Sequence, residues 1–323
     1  MAQCLAMLPA PGAGPTIDQV IAAIPRWRGR PVAFEPIAGG LTNRNYRVEV
    51  DGEPHFVRIP GPATELLAID RANELYNTRA AARAGVGARV LDHLPEWDVM
   101  VLEWLPGRTM SKASFGGRDS PGRLAAVLRQ LHAGPRFQLD FDMSRLIEFY
   151  LGVVAARDVP IPAGFLGALP AVARIEQALA VQPLPSVPCH NDLLAENYLD
   201  GGDRLWIVDY EYSGNNDPTF ELGNTCQELG YDLDRAAELC AAYFGRESPA
   251  LLARMQLQMI MSDAGWTLWA AIQARISAIE YDFGGWAHER WERASAALAD
   301  PAFERRLASA AQPGAGDAGA GDP

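Results

Sequence analysis

His190, Asp192 and Asn197 stand in the pattern H-x-D-x-x-x-x-N within Cys189-His190-Asn191-Asp192-Leu193-Leu194-Ala195-Glu196-Asn197. Asp209 follows twelve positions after Asn197, in Ile207-Val208-Asp209-Tyr210-Glu211. The chemistry such a set serves is phosphoryl transfer. A loop Asp takes or orients the proton of an acceptor hydroxyl, while an Asn and a second, strand-borne Asp hold a metal against nucleotide phosphates. Carboxylate and amide oxygens are the hard ligands Mg²⁺ prefers. Asp and Asn are common in any loop, so the pair alone says little. The histidine before it and the Asp at the expected distance give it weight. His190 itself is expected to brace the loop rather than carry a proton.

Two other segments could meet phosphates. Ala38-Gly39-Gly40-Leu41-Thr42-Asn43-Arg44-Asn45-Tyr46 lies between two strand-like runs, where glycines let backbone amides approach an anion. It is neither a Walker A motif nor a full G-x-G-x-x-G. In Phe56-Val57-Arg58-Ile59-Pro60, Arg58 stands where kinase-like sites place a cation for the α- and β-phosphates, and Glu74 is the matching acid on the next helix. The cation has to be an arginine: of 28 basic residues only Lys112 is a lysine, and it lies beyond the expected hinge.

The elements that must carry these residues differ along the chain. Thr16 reads as the N-cap of a short helix. Phe34–Ile37, Asn45–Val50, His55–Ile59, Arg89–Leu94 and Val99–Trp104 read as strands, with Asp51-Gly52 as a hairpin turn. A helix is expected over Ile69–Ala84, ended by Gly85, and Pro106-Gly107 breaks the strand-rich part. Beyond it, helical spacing covers Leu124–His132, Leu146–Ala156, Ala171–Val181, Leu233–Phe244, Ala250–Ile279 and Trp286–Ala297. Val187–Asp209 interrupts them with two strand-like pieces around a polar loop. The expected fold class is therefore α+β and bilobal: a small β-rich lobe over residues 15–105 and a larger helical lobe over 106–310. Residues 1–14 are expected to be flexible and 311–323 disordered.

Composition narrows the function. The chain has 323 residues, enough for about two domains, and 49% hydrophobic with 21% charged residues is globular. No run reaches ~18 apolar residues, so no membrane span is expected. A net charge of −12 disfavours a nucleic-acid binder. Four scattered cysteines without C-x-x-C spacing indicate neither zinc ribbon nor redox dithiol, and a reducing, cytoplasmic location is expected. Oligomeric state is open.

Gly39–Val48, Cys189–Leu199 and Ile207–Asn224 resemble the choline/ethanolamine kinase branch of the aminoglycoside-phosphotransferase-like superfamily, whose fold is protein-kinase-like. Asp209-Tyr210-Glu211-Tyr212-Ser213-Gly214-Asn215-Asn216-Asp217-Pro218, Gly265-Trp266-Thr267-Leu268-Trp269 and Gln273–Glu280 are similar to that branch in particular. Val57–Gly61 and Asp70-Arg71-Ala72-Asn73-Glu74 look most like bacterial members of the LicA type. The resemblance covers most of residues 30–300. It implies that Asp192 is the catalytic base, that Asn197 and Asp209 hold Mg²⁺, and that Arg58 and Glu74 form the phosphate-positioning pair. It further implies ATP as donor, Gly39, Gly40, Thr42 and Asn43 near its phosphates, and Leu102-Glu103-Trp104 as the hinge that meets adenine. Glu211 is implied as an acid near metal and substrate.

The acceptor argument rests on aromatics. A quaternary ammonium has no N–H to donate and is held by aromatic faces with a carboxylate nearby. The resemblance puts Tyr212, Trp266, Trp269, Phe283 and Trp286 around such a cation, with Glu228 as an acid beside it. Two tryptophans at i and i+3 share a helix face, and such a stripe can equally be core. Phe283 and Trp286 stand where the family usually has tyrosines, which keeps aromatic surface and removes hydroxyls. Choline is therefore the expected acceptor and phosphocholine the product. Ethanolamine, an aminoglycoside or thiamine are alternatives on the same fold, and a non-catalytic kinase-like binding module is another. A protein kinase is disfavoured, since no Asp-Phe-Gly or Ala-Pro-Glu segment is present.

Overall fold

The computed structural model describes residues 14–62 and 64–312. Apart from Gly14, Ala311 and Gln312, the segments expected to be flexible or disordered lie outside the described residues. The chain forms two compact units: one runs to Glu65 and takes in Ala88–Leu105, the other comprises Leu66–Gly87 and everything from Pro106 onward.

The first unit opens with helix α1 (Ile17–Ala23), where Thr16 and Gln19 make a reciprocal capping box. Strands β1 (Val32–Ile37), β2 (Asn43–Val50), β3 (Glu53–Pro60), β4 (Val90–Leu94) and β5 (Val99–Glu103) follow. They form an antiparallel sheet in the order β1-β2-β3-β5-β4. Asp51 and Gly52, with φ of 52° and 85°, close the β2–β3 hairpin with the positive dihedrals a tight turn needs. Alternation sends Val48, Val50, Val57 and Ile59 to one face, where they pack with Val99, Val101 and the α1 residues Ile17 and Val20.

The second unit holds α2 (Arg71–Arg83), which starts two residues later than its apolar pattern suggests because Asp70 caps it through the Asn73 N–H. After it come β6 (Arg108–Thr109), α3 (Ser120–His132), α4 (Met143–Arg157) and α5 (Phe165–Val181). The short strands β7 (Val187–Cys189), β8 (Tyr198–Asp200), β9 (Leu205–Ile207) and β10 (Gly214–Asn216) are next. They pair as β10-β7 and β6-β8-β9, antiparallel in both sheets. The expected pair of strand-like pieces in 187–209 is thus three strands.

Helices α6 (Pro218–Leu229), α7 (Leu233–Phe244), α8 (Pro249–Ile276), α9 (Phe283–Ala299) and α10 (Phe303–Ala310) complete the unit. Two of these, α6 and α10, were not expected from periodicity. In α6 every residue but Gln227 is buried, polar Glu221, Asn224 and Thr225 included, so there is no polar stripe to read. Its start is nonetheless written in Asp217-Pro218, an N-cap followed by proline in the first turn. Helix α8 is buried on all sides from Ala253 to Gln273 and packs against α4, α6, α9 and α10. No helix among the described residues is long and apolar enough to cross a membrane.

Where α6 crosses α8, Gly223 allows backbone contact: a Cβ there would sit 2.9 Å from the Met255 carbonyl oxygen and 3.0 Å from the Met259 nitrogen. Neither atom can swing away as a side chain could. Gly223→Ala should force the helices apart and destabilise the protein by about 1–3 kcal/mol, read as a lower urea midpoint in equilibrium unfolding.

Candidate active site

The loop 190–197 follows β7, whose partner β10 ends the segment that begins at Asp209. Two loop residues take left-handed backbone, Asn191 (φ 69°) and Asp209 (φ 74°). Asn and Asp tolerate that region better than other side chains, yet it is sparsely used and is held here by surrounding bonds. The carboxylate of Glu221, on α6, accepts both the His190 and the Asn191 backbone N–H at 2.7 Å. One turn on, the Asn224 side-chain oxygen accepts the Leu193 N–H at 2.8 Å. Helix α6 therefore fixes the loop at three successive points. His190 ties it to the following strand: its Nε2 donates to the Val208 carbonyl (2.9 Å) and its Nδ1 accepts the Asp192 N–H (3.3 Å). Burial lowers the His190 pKa, consistent with a neutral bracing ring. Behind Glu221, His132 Nε2 lies 3.6 Å from its carboxylate and 3.7 Å from the Cys189 sulfur.

Asn197 and Asp192 are coupled directly, the Asn197 Nδ2 donating to the Asp192 carbonyl at 2.8 Å. That bond turns the Asn197 amide oxygen the other way. An amide oxygen such as that of Asn197 and a carboxylate such as that of Asp209 are donors of the kind that suits Mg²⁺ rather than a softer metal. The Asp192 carboxyl is held well above the ordinary range, first by burial and then by the negative charges of Glu228, Asp209 and Glu211, with Arg290 opposing. A concentration of buried carboxylates is the setting in which a divalent cation is favourable.

Asparagines carry the supporting shell. Asn73 and Asn77, on α2, both donate to the Ser213 carbonyl at 2.9 Å. Asn191 donates to the Tyr212 carbonyl at 3.1 Å. Glu211 accepts from Arg71 at 3.2 Å, and the same guanidinium nitrogen reaches Glu74 at 2.6 Å. Glu74 thus has Arg71 for a partner, an arginine to which the motif alone gives no role.

The aromatic residues expected around a cation do come together. Trp269 Nε1 donates to the Tyr212 hydroxyl at 2.6 Å. Tyr212 meets Trp266 edge-on at 4.9 Å, and Trp269 meets Phe283 at 5.9 Å and Trp286 at 5.6 Å. Tyr281, which is not among the aromatics expected from the sequence, joins them, 4.9 Å from Phe283 and 5.8 Å from Trp286. Trp266, Trp269 and Phe283 are buried, whereas Trp286 keeps partial exposure. Glu228 is less open than expected, since Arg290 bonds both its oxygens at 2.7 Å.

In the first unit, the turn between β1 and β2 contains Gly39 with φ 102° and Gly40, where a Cβ would fall 2.4 Å from the Asn43 carbonyl oxygen. Only glycine fits there. Asn43 Nδ2 donates to the Thr42 hydroxyl at 3.0 Å. Arg58 is buried on β3, opposite Asn45 of β2 and Met100 of β5. Glu103 ends β5. Its carboxylate takes the Arg89 Nε at 2.5 Å, and its own N–H donates to the Arg89 carbonyl.

Comparison with known proteins shows the family of the chain. Residues 33–257 match the model of the phosphotransferase enzyme family. A crystal structure of a choline/ethanolamine kinase family protein from Mesorhizobium loti is 39% identical with a TM-score of 0.79, over 90% of this chain and 96% of that one. The structure of choline kinase LicA from Streptococcus pneumoniae is 25% identical with a TM-score of 0.71, over 83% and 93%. Ethanolamine kinase 1 of Mus musculus is 27% identical, over 83% of this chain and 85% of its own. The chain belongs to the phosphotransferase enzyme family, in its choline/ethanolamine kinase branch, and is an alcohol-acceptor phosphotransferase with the protein-kinase-like fold of that group.

The Asp192 environment has a consequence for stability. An acid whose folded pKa lies above its unfolded one contributes stability only while protonated. The contribution is full below the unfolded pKa and is lost as pH rises through the folded one. At neutral pH, well above the unfolded pKa, burying Asp192 therefore weakens the fold, and Asp192→Asn should raise Tm in metal-free buffer at pH 7.5. The gain should shrink toward about pH 4, where the wild-type carboxyl is protonated. Scanning calorimetry at both pH values checks this; a gain independent of pH would mean that charge burial is not its cause.

Proposed function

We propose that the protein is an ATP- and Mg²⁺-dependent kinase that phosphorylates the hydroxyl of choline to give phosphocholine. The observation that carries this reading is the convergence of Tyr212, Trp266, Trp269, Phe283 and Trp286 in the unit that holds the H-x-D-x-x-x-x-N loop. Aromatic faces suit a cation with no N–H.

In this reading Asp192 accepts the proton of the choline hydroxyl as its oxygen forms a bond to the γ-phosphorus and the bond to the bridging oxygen of ATP breaks, releasing ADP. The raised pKa of Asp192 makes it a better proton acceptor in the deprotonated state. Asn197 and Asp209 would hold Mg²⁺, which when bound neutralises charge on the phosphates. Gly39, Gly40, Thr42 and Asn43 would meet the phosphates through backbone amides and small polar groups. Arg58 would pair with phosphate oxygens and with Glu74, and Leu102–Trp104 would meet adenine. Glu211 would supply negative potential to the amine, and Glu228, paired with Arg290, would stand beside it. Positioning and electrostatics carry such a reaction, since little covalent chemistry falls to the protein.

Ethanolamine is the second reading, favoured by the similarity to a mouse ethanolamine kinase. An aminoglycoside acceptor, polycationic and rich in hydroxyls, would call for a carboxylate-lined rather than tryptophan-lined site. The similarity to a thiamine kinase of Escherichia coli, 27% over 72% of the chain, keeps that alcohol in the panel. The intact set Asp192, Asn197 and Asp209 argues against a binding module without catalysis.

A coupled ADP-release assay with MgATP, comparing choline, ethanolamine, thiamine and kanamycin, tests the proposal. Choline should be turned over, and Asp192→Ala should lower kcat by about 10³-fold while leaving choline binding by calorimetry intact. Trp269→Ala should mainly raise KM for choline; an unchanged KM would remove the aromatic cage from the mechanism.

A further inference from the structure

Arg290, on α9, is among the most deeply buried cations of the chain, at 1% exposure. Its guanidinium bonds both oxygens of Glu228 at 2.7 Å, reaches Asp263 at 3.5 Å and lies 4.3 Å over the Trp286 ring. Bonds on one side and a stacked ring on the other hold a planar group in a single orientation. Asp263 does not depend on it, because Arg293 also bonds Asp263 at 2.6 and 3.0 Å. The pair that Arg290 uniquely completes is the one with Glu228, the acid expected beside the amine.

A primary ammonium binds by donating N–H to acceptors, and a carboxylate whose charge is open is the strongest of them. A quaternary ammonium donates nothing and relies on ring faces. An arginine that neutralises Glu228 therefore removes the group a primary amine most needs and leaves the aromatic surface in place. We propose that Arg290 is the residue that discriminates between quaternary and primary ammonium acceptors, by clamping Glu228 so that its charge is not offered to N–H donors. The inference rests on the amino-alcohol kinase reading above. Arg290 acts here through Glu228 and is a positioning residue.

The test compares kcat/KM for choline and for ethanolamine, and their dissociation constants by calorimetry, in the wild type, Arg290→Met, Arg290→Lys and the double variant Arg290→Met/Glu228→Gln. Releasing Glu228 should raise the ethanolamine-to-choline ratio about tenfold or more in Arg290→Met, the size expected of one charge-assisted hydrogen bond. Lysine keeps a positive charge for Glu228 but gives up the planar group over Trp286 and the reach to Asp263, and should move the ratio in the same direction by less. The double variant removes the carboxylate that Arg290→Met releases, so its ratio should return toward the wild-type value.

A ratio unchanged in Arg290→Met, with both amines losing activity together, would make Arg290 a merely structural residue and overturn the proposal. A raised ratio that persists in the double variant would overturn it too, since Glu228 would not be the acceptor. Should Arg290→Met lack a cooperative thermal transition, Arg290→Lys decides, an unmoved ratio again being the negative result. A wild type that neither binds nor turns over either amine would instead bring down the amino-alcohol reading itself. The readout is a change of ratio, so it is separate from which amine the wild type prefers.

Discussion

One carboxylate bears the geometry of the H-x-D-x-x-x-x-N loop. Glu221 sits fully buried in α6 and receives the two consecutive N–H groups that open the loop, those of His190 and Asn191. Those donors belong to residues between a strand and a left-handed turn, where no sheet or helix partner is on hand. Remove the acceptor and two buried N–H groups are left without a partner, a cost of about 1–3 kcal/mol each. The orientation of Asp192, only one residue further on, follows from that anchorage, and Asn197 follows from Asp192 through its own bond. Helix α6 is in turn held by α8, which it approaches at Gly223. The long helix that presents Trp266 and Trp269 is therefore the same one against which the 190–197 loop is braced.

Burying so much negative charge demands a particular kind of cation. Asp192, Asp209, Glu211, Asp217, Glu221, Glu228 and Asp263 all belong to the second unit, and Arg71, Arg254, Arg290 and Arg293 answer several of them. A guanidinium brings five donors in a fixed plane and is weakly hydrated, so it can be buried with less penalty and can serve two acids at once. Arg71 does so between Glu74 and Glu211, and Arg290 between Glu228 and Asp263. Such pairs are weak evidence for stability, because desolvation offsets much of the attraction. Their effect is on what charge the site presents.

What the sequence made legible follows from which physics leaves a local trace. The strands β1 to β5 were readable because one face is apolar and the turn Asp51-Gly52 has its own chemistry. The H-x-D-x-x-x-x-N loop was readable because its spacing is local. Helix α6 was not, because Glu221, Asn224 and Thr225 are inside, and a binary pattern treats a buried polar residue as exposed. The Arg290–Glu228 pair, 62 residues apart, and the Arg71–Glu211 pair, 140 apart, leave no local mark. Glu228 was assigned to a substrate amine on resemblance alone, and the guanidinium bound to it changes what that acid can offer. Tyr281 escaped notice because it lies outside regular structure, before α9, with neighbours fixed only by the fold.

The near-exclusive use of arginine has a reach beyond packing. A guanidinium keeps its proton at any pH a cell meets, so the positive side of the buried network is constant and only acids and histidines can respond to pH. Primary-amine chemistry is also almost closed to the side chains of this protein. Acylation and carbamylation need an amine, and Lys112, exposed on the short turn Lys112–Phe115, is the one side chain that has it. The charge that frames the site is thereby insulated from a whole class of covalent damage and signalling, whatever reaches the surface.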